Sequence, residues 1–254
     1  GLRMAPDVST MECYRLARAM TLKNAAAGLP HGGGKSVIKA DPRMPLEQKE
    51  ATIRAFAAAL RDENDYIFGP DMGTNERCMS WVHDEIGRAV GLPREIGGIP
   101  LDALGATGWG LYHSVDVALD KLGLNMAGAT VVIQGYGSVG YHAARFMVEN
   151  GAKIIAASDT SGAVKNSAGL DVEALWQLKK NGQSVVDYGD GEVIEGDALV
   201  DIACDIWVPA ARPDVIHDEN VERLNTKIVA QGANIPVTLS AEHYLHRKNI
   251  LCLP

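Results

Sequence analysis

The chain has 254 residues, with 46% hydrophobic residues, 22% charged residues and a formal net charge of −8. These values are typical of a globular protein with two domains of ordinary size, and the acidic balance without a basic stripe argues against nucleic-acid binding. No apolar run is long enough to span a membrane, and four scattered cysteines without a C-x-x-C pair favour a reducing compartment. We therefore expect a cytoplasmic protein that binds neither nucleic acid nor membrane.

The first hundred residues are predicted to form a mixed α/β domain. Apolar residues at helical spacing predict helices over 9–27, 45–64 and 75–87, and short apolar runs predict strands at 36–40 and 66–68. The segment 91–100 contains three glycines and two prolines, which is typical of a connection. We place the domain boundary there, giving domains 1–100 and 101–254.

The second part of the chain alternates strands and helices. Helices are predicted over 107–122, 138–150 and 170–181, and strands over 130–134, 153–158, 206–209, 227–230 and 250–253. Such alternation predicts a parallel, doubly wound sheet of the Rossmann type. The chain starts at Gly1 without a methionine and stops within an apolar run, so we expect both ends to be truncated.

A glycine-rich segment ends in Lys35. Three consecutive glycines, Gly32–Gly34, carry no side chains, so another group can approach the backbone closely there. A dry site favours the neutral amine, and a lysine that loses its proton near neutral pH can act as a catalyst. A phosphate-binding loop would need a glycine at the position of Leu29 and a preceding strand, where a helix is predicted.

A dinucleotide-binding unit follows the strand at 130–134. The motif G-x-G-x-x-G consists of Gly135, Tyr136, Gly137, Ser138, Val139 and Gly140. It opens a helix, and Asp159 ends the next strand 24 residues after Gly135. The Asp159 carboxylate would accept from the ribose hydroxyls and repel a 2′-phosphate, which favours NAD. Ser158 and Thr160 leave NADP as an alternative.

Two further residues are candidates for substrate chemistry. Lys23 lies twelve residues before Lys35, and the chain could fold back so that both ammonium groups hold a carboxylate. The alternative is that Lys23 is a solvated helix lysine. Asp71 follows a predicted strand, a common place for a catalytic carboxylate, although it could instead bond its own backbone within a turn.

Five segments resemble, in order, signatures of the glutamate/leucine/phenylalanine/valine dehydrogenase family, with glutamate dehydrogenase the most similar. They are MTLKNA at 20–25, PHGGGK at 30–35, GPDMGT at 69–74, GATGWG at 105–110 and QGANIP at 231–236. The resemblance implies a Rossmann domain, a second α/β domain for substrate binding and oligomerisation, and a cleft between them. It also implies NAD(P)-dependent oxidative deamination of an L-amino acid to a 2-oxo acid and ammonia, by a homo-hexamer or homo-octamer.

The same resemblance implies roles for individual residues. Lys23 would hold the substrate α-carboxylate, and Lys35 would activate the water that attacks the imine. Asp71 would shuttle the proton at the substrate nitrogen. Thr107 and Asn234 would hold the nicotinamide carboxamide.

The sequence does not decide the substrate. Glutamate is favoured from the flanking segments, but the residues that distinguish it from leucine, valine or phenylalanine lie outside the chain. Met20 and His31 depart from the family pattern. A decarboxylating enzyme would need a cluster of acids for a metal, and His243 and His246 have no third ligand nearby, so we expect no metal. A non-catalytic nucleotide-binding regulatory protein is the remaining alternative.

Overall fold

The computed structural model describes residues 1–254, which divide into two compact units, Gly1–Leu101 and Asp102–Pro254. None of the helices combines the length and the apolar character that crossing a bilayer requires. Each unit has its own buried core and is described by itself.

The first unit contains a two-stranded parallel sheet and three main helices. Its elements are β1 (Leu2–Ala5), α1 (Thr10–Ala26), β2 (Ser36–Lys39), α2 (Leu46–Ala59), α3 (Glu76–Ile86) and a 3₁₀ turn at Arg94–Ile96. The predicted start of α1 is confirmed, because the Ser9 side chain accepts a hydrogen bond from Glu12 N. Asn75 caps α3 in the same way, and Gly87 ends that helix with a left-handed φ of 70°.

Two parts of the first unit differ from the sequence prediction. Strand β1 was not predicted; it pairs in parallel with β2, Leu2 opposite Ser36. The predicted strand at 66–68 is wrong, because only a single bridge forms there, between Phe68 and Ala89. The apolar character of that segment reflects burial instead, since Phe68 is fully buried in the core of the unit.

The second unit is built on a seven-stranded sheet. Its elements are α4 (Leu101–Leu104, at the division between the units), α5 (Ala106–Lys121), β3 (Thr130–Gln134), α6 (Ser138–Glu149), β4 (Lys153–Asp159), β5 (Gly162–Lys165), α7 (Val172–Lys180), β6 (Glu192–Ile194), β7 (Ile206–Pro209), β8 (Ile228–Ala230), α8 (Leu239–Arg247) and β9 (Leu251–Leu253). Three 3₁₀ segments lie at Val185–Asp187, Gly196–Asp201 and Val221–Arg223.

The strand order β6-β5-β4-β3-β7-β8-β9 confirms the predicted Rossmann-type architecture. Strands β4, β3, β7, β8 and β9 are parallel, and β5 and β6 add an antiparallel edge. Both faces are covered. On β3, Val131 and Ile133 belong to the core formed with α5, α6 and α7, and Val132 belongs to the core formed with α8.

The strand order also predicts where a ligand would bind. The chain leaves β3 towards β4 on one side and returns to β7 on the other, so the carboxyl end of β3 is a switch point of the sheet. Ligands of open α/β sheets bind in the crevice at such a point. Gly135, the first residue of the glycine motif, directly follows β3 there.

At the amino ends of the strands, the Asp205 side chain contacts residues at the start of the two strands that neighbour β7. Its Oδ2 accepts from Thr130 N at 2.8 Å and Thr130 Oγ1 at 2.9 Å, and its Oδ1 accepts from Lys227 Nζ at 2.6 Å. Burial opposes the charged form most strongly, but the Lys227 and Thr130 donors outweigh it and lower the Asp205 pKa. The carboxylate therefore joins the amino ends of β3, β7 and β8.

We expect Asp205→Asn to lower the free energy of unfolding at pH 7 by about 1 kcal/mol, a modest value because Asp205 is a quarter exposed. The folded pKa lies below the unfolded one, so this contribution is present above the unfolded pKa of about 3.9 and is lost as pH falls through the folded value. Denaturant unfolding at pH 7 and pH 3 measures it, with the exposed Asp218→Asn as control. An equal loss at both pH values would contradict the assignment.

Candidate functional site

A buried cluster of alternating charges lies in the first unit. The Asp71 carboxylate contacts two cations: Lys35 Nζ is 2.5 Å from its Oδ2, and Arg3 Nη2 is 3.4 Å from its Oδ1. Arg3 in turn pairs with Glu12, Nη1 to Oε1 at 2.6 Å. The side chains of Lys35, Asp71 and Arg3 are 5%, 10% and 4% exposed. Water therefore screens these charges little.

The turn that carries Asp71 is fastened to β1 by three hydrogen bonds. Leu2 N donates to Gly69 O at 2.8 Å, and Met4 N donates to Met72 O at 2.9 Å. Thr74 Oγ1 donates to Leu2 O at 2.7 Å. Because β1 also pairs with β2, which Lys35 immediately precedes, the sheet brings the carboxylate, the guanidinium and the ammonium together.

The same turn requires a glycine at position 73. Gly73 has a φ of +80°, and a Cβ there would overlap Met4 O. Two residues earlier, Asp71 Oδ1 accepts from Met72 N at 2.7 Å. Asp71 therefore bonds its own turn and also contacts the two cations, and its catalytic role stays a prediction.

These contacts determine the charge of Asp71. Burial acts most strongly and would raise the pKa of the carboxyl group. The positive charges of Lys35 and Arg3, with the hydrogen bonds from Lys35 and Met72, outweigh burial and hold the Asp71 pKa below its ordinary value. Asp71 is therefore an ionised base at neutral pH, next to an ammonium group.

The glycines before Lys35 serve packing more than was expected. Gly33 N donates to Thr21 Oγ1 at 3.0 Å, and a Cβ at Gly33 would overlap the backbone of α1 at Ala17 O and Thr21 N. This close approach of backbone to helix, rather than space for a ligand, is what requires glycine at position 33.

The neighbouring glycines differ from one another. A Cβ at Gly34 would lie 2.9 Å from the Tyr66 ring, whose hydroxyl bonds Ser36 Oγ at 2.6 Å. Gly32 meets nothing within 4 Å, and its carbonyl accepts from Asn24 Nδ2 at 2.8 Å. Of the three, only Gly32 faces open space.

Lys23 is not in contact with the charge cluster. It lies in the last turn of α1 and is exposed to solvent, and none of the ion pairs of Lys35 or Asp71 includes it. The structure therefore brings Lys35 and Asp71 together but not the two lysines, and the role of Lys23 as a carboxylate ligand stays a prediction.

In the second unit, each glycine of the G-x-G-x-x-G motif has a different environment. Gly135 has a φ of +98°, and a Cβ there would lie 2.6 Å from Ala211 Cβ. A Cβ at Gly140 would overlap Gly135 O, so this glycine allows α6 to pack closely on the loop. Gly137 has nothing within 4 Å and precedes α6 without a side-chain cap. An uncapped helix start with open space suits the pyrophosphate of a dinucleotide.

The two residues expected at the nicotinamide lie on either side of this motif in the chain. Thr107 is exposed in the first turn of α5, and Gly108 beside it approaches the backbone of α6. Asn234 is half-buried in the loop after β8. In that loop, a Cβ at Gly232 would lie 3.2 Å from Val139 of the motif. The contact of Thr107 with the nicotinamide and that of Asn234 both stay predictions.

Asp159 has a different environment from the one expected. Its side chain is 7% exposed and forms an ion pair with Lys179, Oδ2 to Nζ at 2.6 Å. Burial opposes the charge most strongly, yet the hydrogen bonds, that of Lys179 first, lower the pKa of Asp159 below its ordinary value. The carboxylate ends β4 as predicted, but its contacts are with its own chain.

Sequence reasoning missed Arg3 and Glu12. A single arginine in a four-residue strand has no periodicity or motif that distinguishes it from a surface arginine. The signal available was local: Arg3 stands between Leu2 and Met4 in an apolar segment, and the structure buries the whole strand.

We expect Gly33→Ala to destabilise the Lys35 segment by about 1–3 kcal/mol, since the added methyl group forces α1 and the segment apart. Gly32→Ala is the matched control and should change stability by less than about 1 kcal/mol, because its Cβ meets no atom. Thermal and denaturant unfolding of the two variants measure the difference. Equal stabilities of Gly33→Ala and Gly32→Ala would show that the Lys35 segment does not pack closely against α1.

Comparison with known proteins places these features in a family. Residues 97–254 match the family model of glutamate/leucine/phenylalanine/valine dehydrogenase, and residues 1–88 match the dimerisation domain of the same enzymes. The chain is 38% identical to the glutamate dehydrogenases of Aeropyrum pernix and Thermotoga maritima, over 267 and 269 residues. These matches cover 100% of this chain and 64% of each relative.

Solved structures give the same result. The hetero-hexameric glutamate dehydrogenase from Thermus thermophilus, in a leucine-bound form, matches with a TM-score of 0.88 at 27% identity, covering 100% of this chain and 63% of that one. Glutamate dehydrogenase from Peptoniphilus asaccharolyticus matches with a TM-score of 0.73 at 30% identity, covering 100% and 64%. The chain thus spans just under two thirds of the length of these relatives. With both units matched in order, the chain belongs to the glutamate/leucine/phenylalanine/valine dehydrogenase family.

Proposed function

We propose that the protein is an NAD(P)-dependent amino acid dehydrogenase that converts an L-amino acid to the 2-oxo acid and ammonia, and catalyses the reverse reaction. The observation that carries this proposal is the buried ion pair of Lys35 and Asp71 in a chain of this family. A buried ion pair is costly to maintain for stability alone, and perturbed ionisable groups cluster at functional sites.

The second unit fits a dinucleotide. The open space at Gly137 and the uncapped start of α6 would hold the pyrophosphate, and Thr107 and Asn234 would hold the nicotinamide carboxamide. The nicotinamide ring supplies the hydride acceptor for the substrate Cα. The residues present therefore suit NAD or NADP.

The charge cluster would handle the protons. Asp71 is ionised and would accept a proton from the substrate ammonium group and release it to solvent, and the restored negative charge would favour the cationic imine left by loss of hydride. Lys35 would position the water that attacks this imine, and its amine would accept a proton from that water only after the ammonium has lost its own proton. The contact with Asp71 gives these protons a direct path between the two groups. Lys23 would bind the substrate α-carboxylate from the exposed end of α1.

Glutamate is the substrate we favour, because the relatives at 38% identity are named glutamate dehydrogenases. Leucine, valine or phenylalanine is the alternative within the family. We further propose a cytoplasmic homo-oligomer. The model matched by residues 1–88 is that of a dimerisation domain, and α1 exposes Met11, Tyr14 and Leu22.

The activity is tested by measuring NADH and NADPH formation by the full-length protein with glutamate, leucine, valine and phenylalanine. We expect the highest kcat/KM with glutamate. A higher value for one of the other three would change the substrate and keep the enzyme. Formation of neither reduced nucleotide with any amino acid would reject the dehydrogenase in favour of a nucleotide-binding regulatory protein.

We expect Lys35→Ala to lower kcat at least about 100-fold while the dinucleotide still binds, since Lys35 acts on protons and not on the cofactor. Lys39→Ala removes an exposed lysine from β2 and is the matched control, with unchanged kcat. Steady-state rates and nucleotide fluorescence titrations measure both. A Lys35→Ala enzyme with wild-type kcat would disprove the proposed role.

A further inference from the structure

The four acceptor positions of the Asp159 carboxylate are all occupied. Its Oδ2 accepts from Lys179 Nζ at 2.6 Å and from Val185 N at 3.0 Å. Its Oδ1 accepts from Ser184 Oγ at 2.8 Å and from Ser161 N at 2.9 Å. A carboxylate offers about four lone-pair positions, so a ribose hydroxyl finds no vacant acceptor on this side chain.

The donors come from three separate pieces of the chain. Lys179 lies in the last turn of α7, Ser184 and Val185 begin the 3₁₀ segment Val185–Asp187, and Ser161 lies in the turn between β4 and β5. Ser184 also takes part in a capping box, where its N donates to the carboxylate of Asp187 at 2.8 Å. Asp159 therefore fastens the loop after α7 to the end of β4, which is a structural role.

The ion pair of Asp159 and Lys179 also changes the charge that a nucleotide would meet at the end of β4. A free carboxylate here would repel a 2′-phosphate. In this chain the ammonium of Lys179 compensates the charge of Asp159, and the Lys179 side chain remains 25% exposed. Thr160 and Ser161, at the exposed tip of the β4–β5 turn, add two hydroxyl groups. Asp187 is the other acid at this network, and its Oδ2 already accepts from Ser184 N.

Resting on the dehydrogenase function proposed above, we infer that Asp159 is a structural carboxylate and that the nucleotide site accepts the 2′-phosphate of NADP as well as the free ribose of NAD. Lys179 is the residue on which this tolerance depends, because it supplies the charge that compensates Asp159. The geometry thus replaces the NAD preference that the sequence motif alone indicates.

Binding of the two reduced cofactors tests this without any turnover. NADH and NADPH are titrated into the full-length protein, and nicotinamide fluorescence gives a Kd for each. We expect the two Kd values to lie within about tenfold of one another, a difference of at most about 1.4 kcal/mol. A Kd for NADPH more than about 100-fold above that for NADH would overturn the inference.

Two variants separate the roles of the ion pair. Lys179→Met leaves the carboxylate uncompensated, so we expect the ratio of the NADPH Kd to the NADH Kd to rise at least about tenfold, and Lys180→Met, an exposed neighbour, should leave the ratio unchanged. Asp159→Asn should lower the thermal unfolding midpoint and change the NADH Kd less than about twofold. A tenfold rise in that Kd with an unchanged midpoint would show that Asp159 binds ribose, and an unchanged ratio in Lys179→Met would remove the role of the lysine.

The outcome for this inference is separable from the outcome for the proposed function. Binding of both nucleotides without turnover of any amino acid would support the inference and reject the dehydrogenase. Turnover with NAD alone would support the dehydrogenase and overturn the inference. Binding of neither nucleotide would overturn both.

Discussion

The contact of the Asp71 carboxylate with Lys35 and Arg3 is the constraint on which the first unit depends. A buried charge is unfavourable unless opposite charges and hydrogen bonds compensate it. Here compensation requires three separate pieces of chain, the start of β2, the strand β1 and the turn after Gly69, to meet at one point. The parallel pairing of β1 with β2 and the left-handed conformation of Gly73 both help to bring Lys35, Arg3 and Asp71 into contact.

The chain contains three buried or half-buried aspartates that each contact a lysine, and their surroundings distinguish them. Asp205 and Asp159 each accept from several directed donors, and these join strands or loops. Asp71 accepts from Met72 N and Arg3 Nη2 at its Oδ1, while its Oδ2 is contacted only by Lys35. Asp71 therefore keeps capacity for a further proton or donor, as a reacting group needs, and Asp159 does not.

The sequence predicted most of the long elements because apolar periodicity and capping residues agree there, as in α1, α3 and β3. It failed for short elements whose pairing is not local. β1 has four residues, β5 and β6 have four and three, and segment 66–68 is buried without pairing as a strand. Such segments are apolar because they are buried, whether or not they pair as strands. Their apolar pattern therefore cannot distinguish a strand from a buried loop.

The sequence predicted which residues belong to the candidate site, but it did not predict which of their side chains are in contact. Lys35 and Asp71 stand in recognisable motifs, yet nothing in either motif states that the two side chains touch. Arg3 was missed because its significance comes only from Asp71 and Glu12. The environment of Asp159 depends on Lys179 and residues beyond it, which no local pattern connects to the end of β4.

The most direct test of the central claim is a double-mutant cycle on turnover. The kcat for oxidative deamination is measured for the full-length protein, Lys35→Ala, Asp71→Asn and the double variant, with unfolding midpoints to confirm that each is folded. If the ion pair acts as one catalytic unit, the double variant reacts no more slowly than the slower single variant. Rate losses that multiply in the double variant would show that Lys35 and Asp71 act independently and would contradict the account.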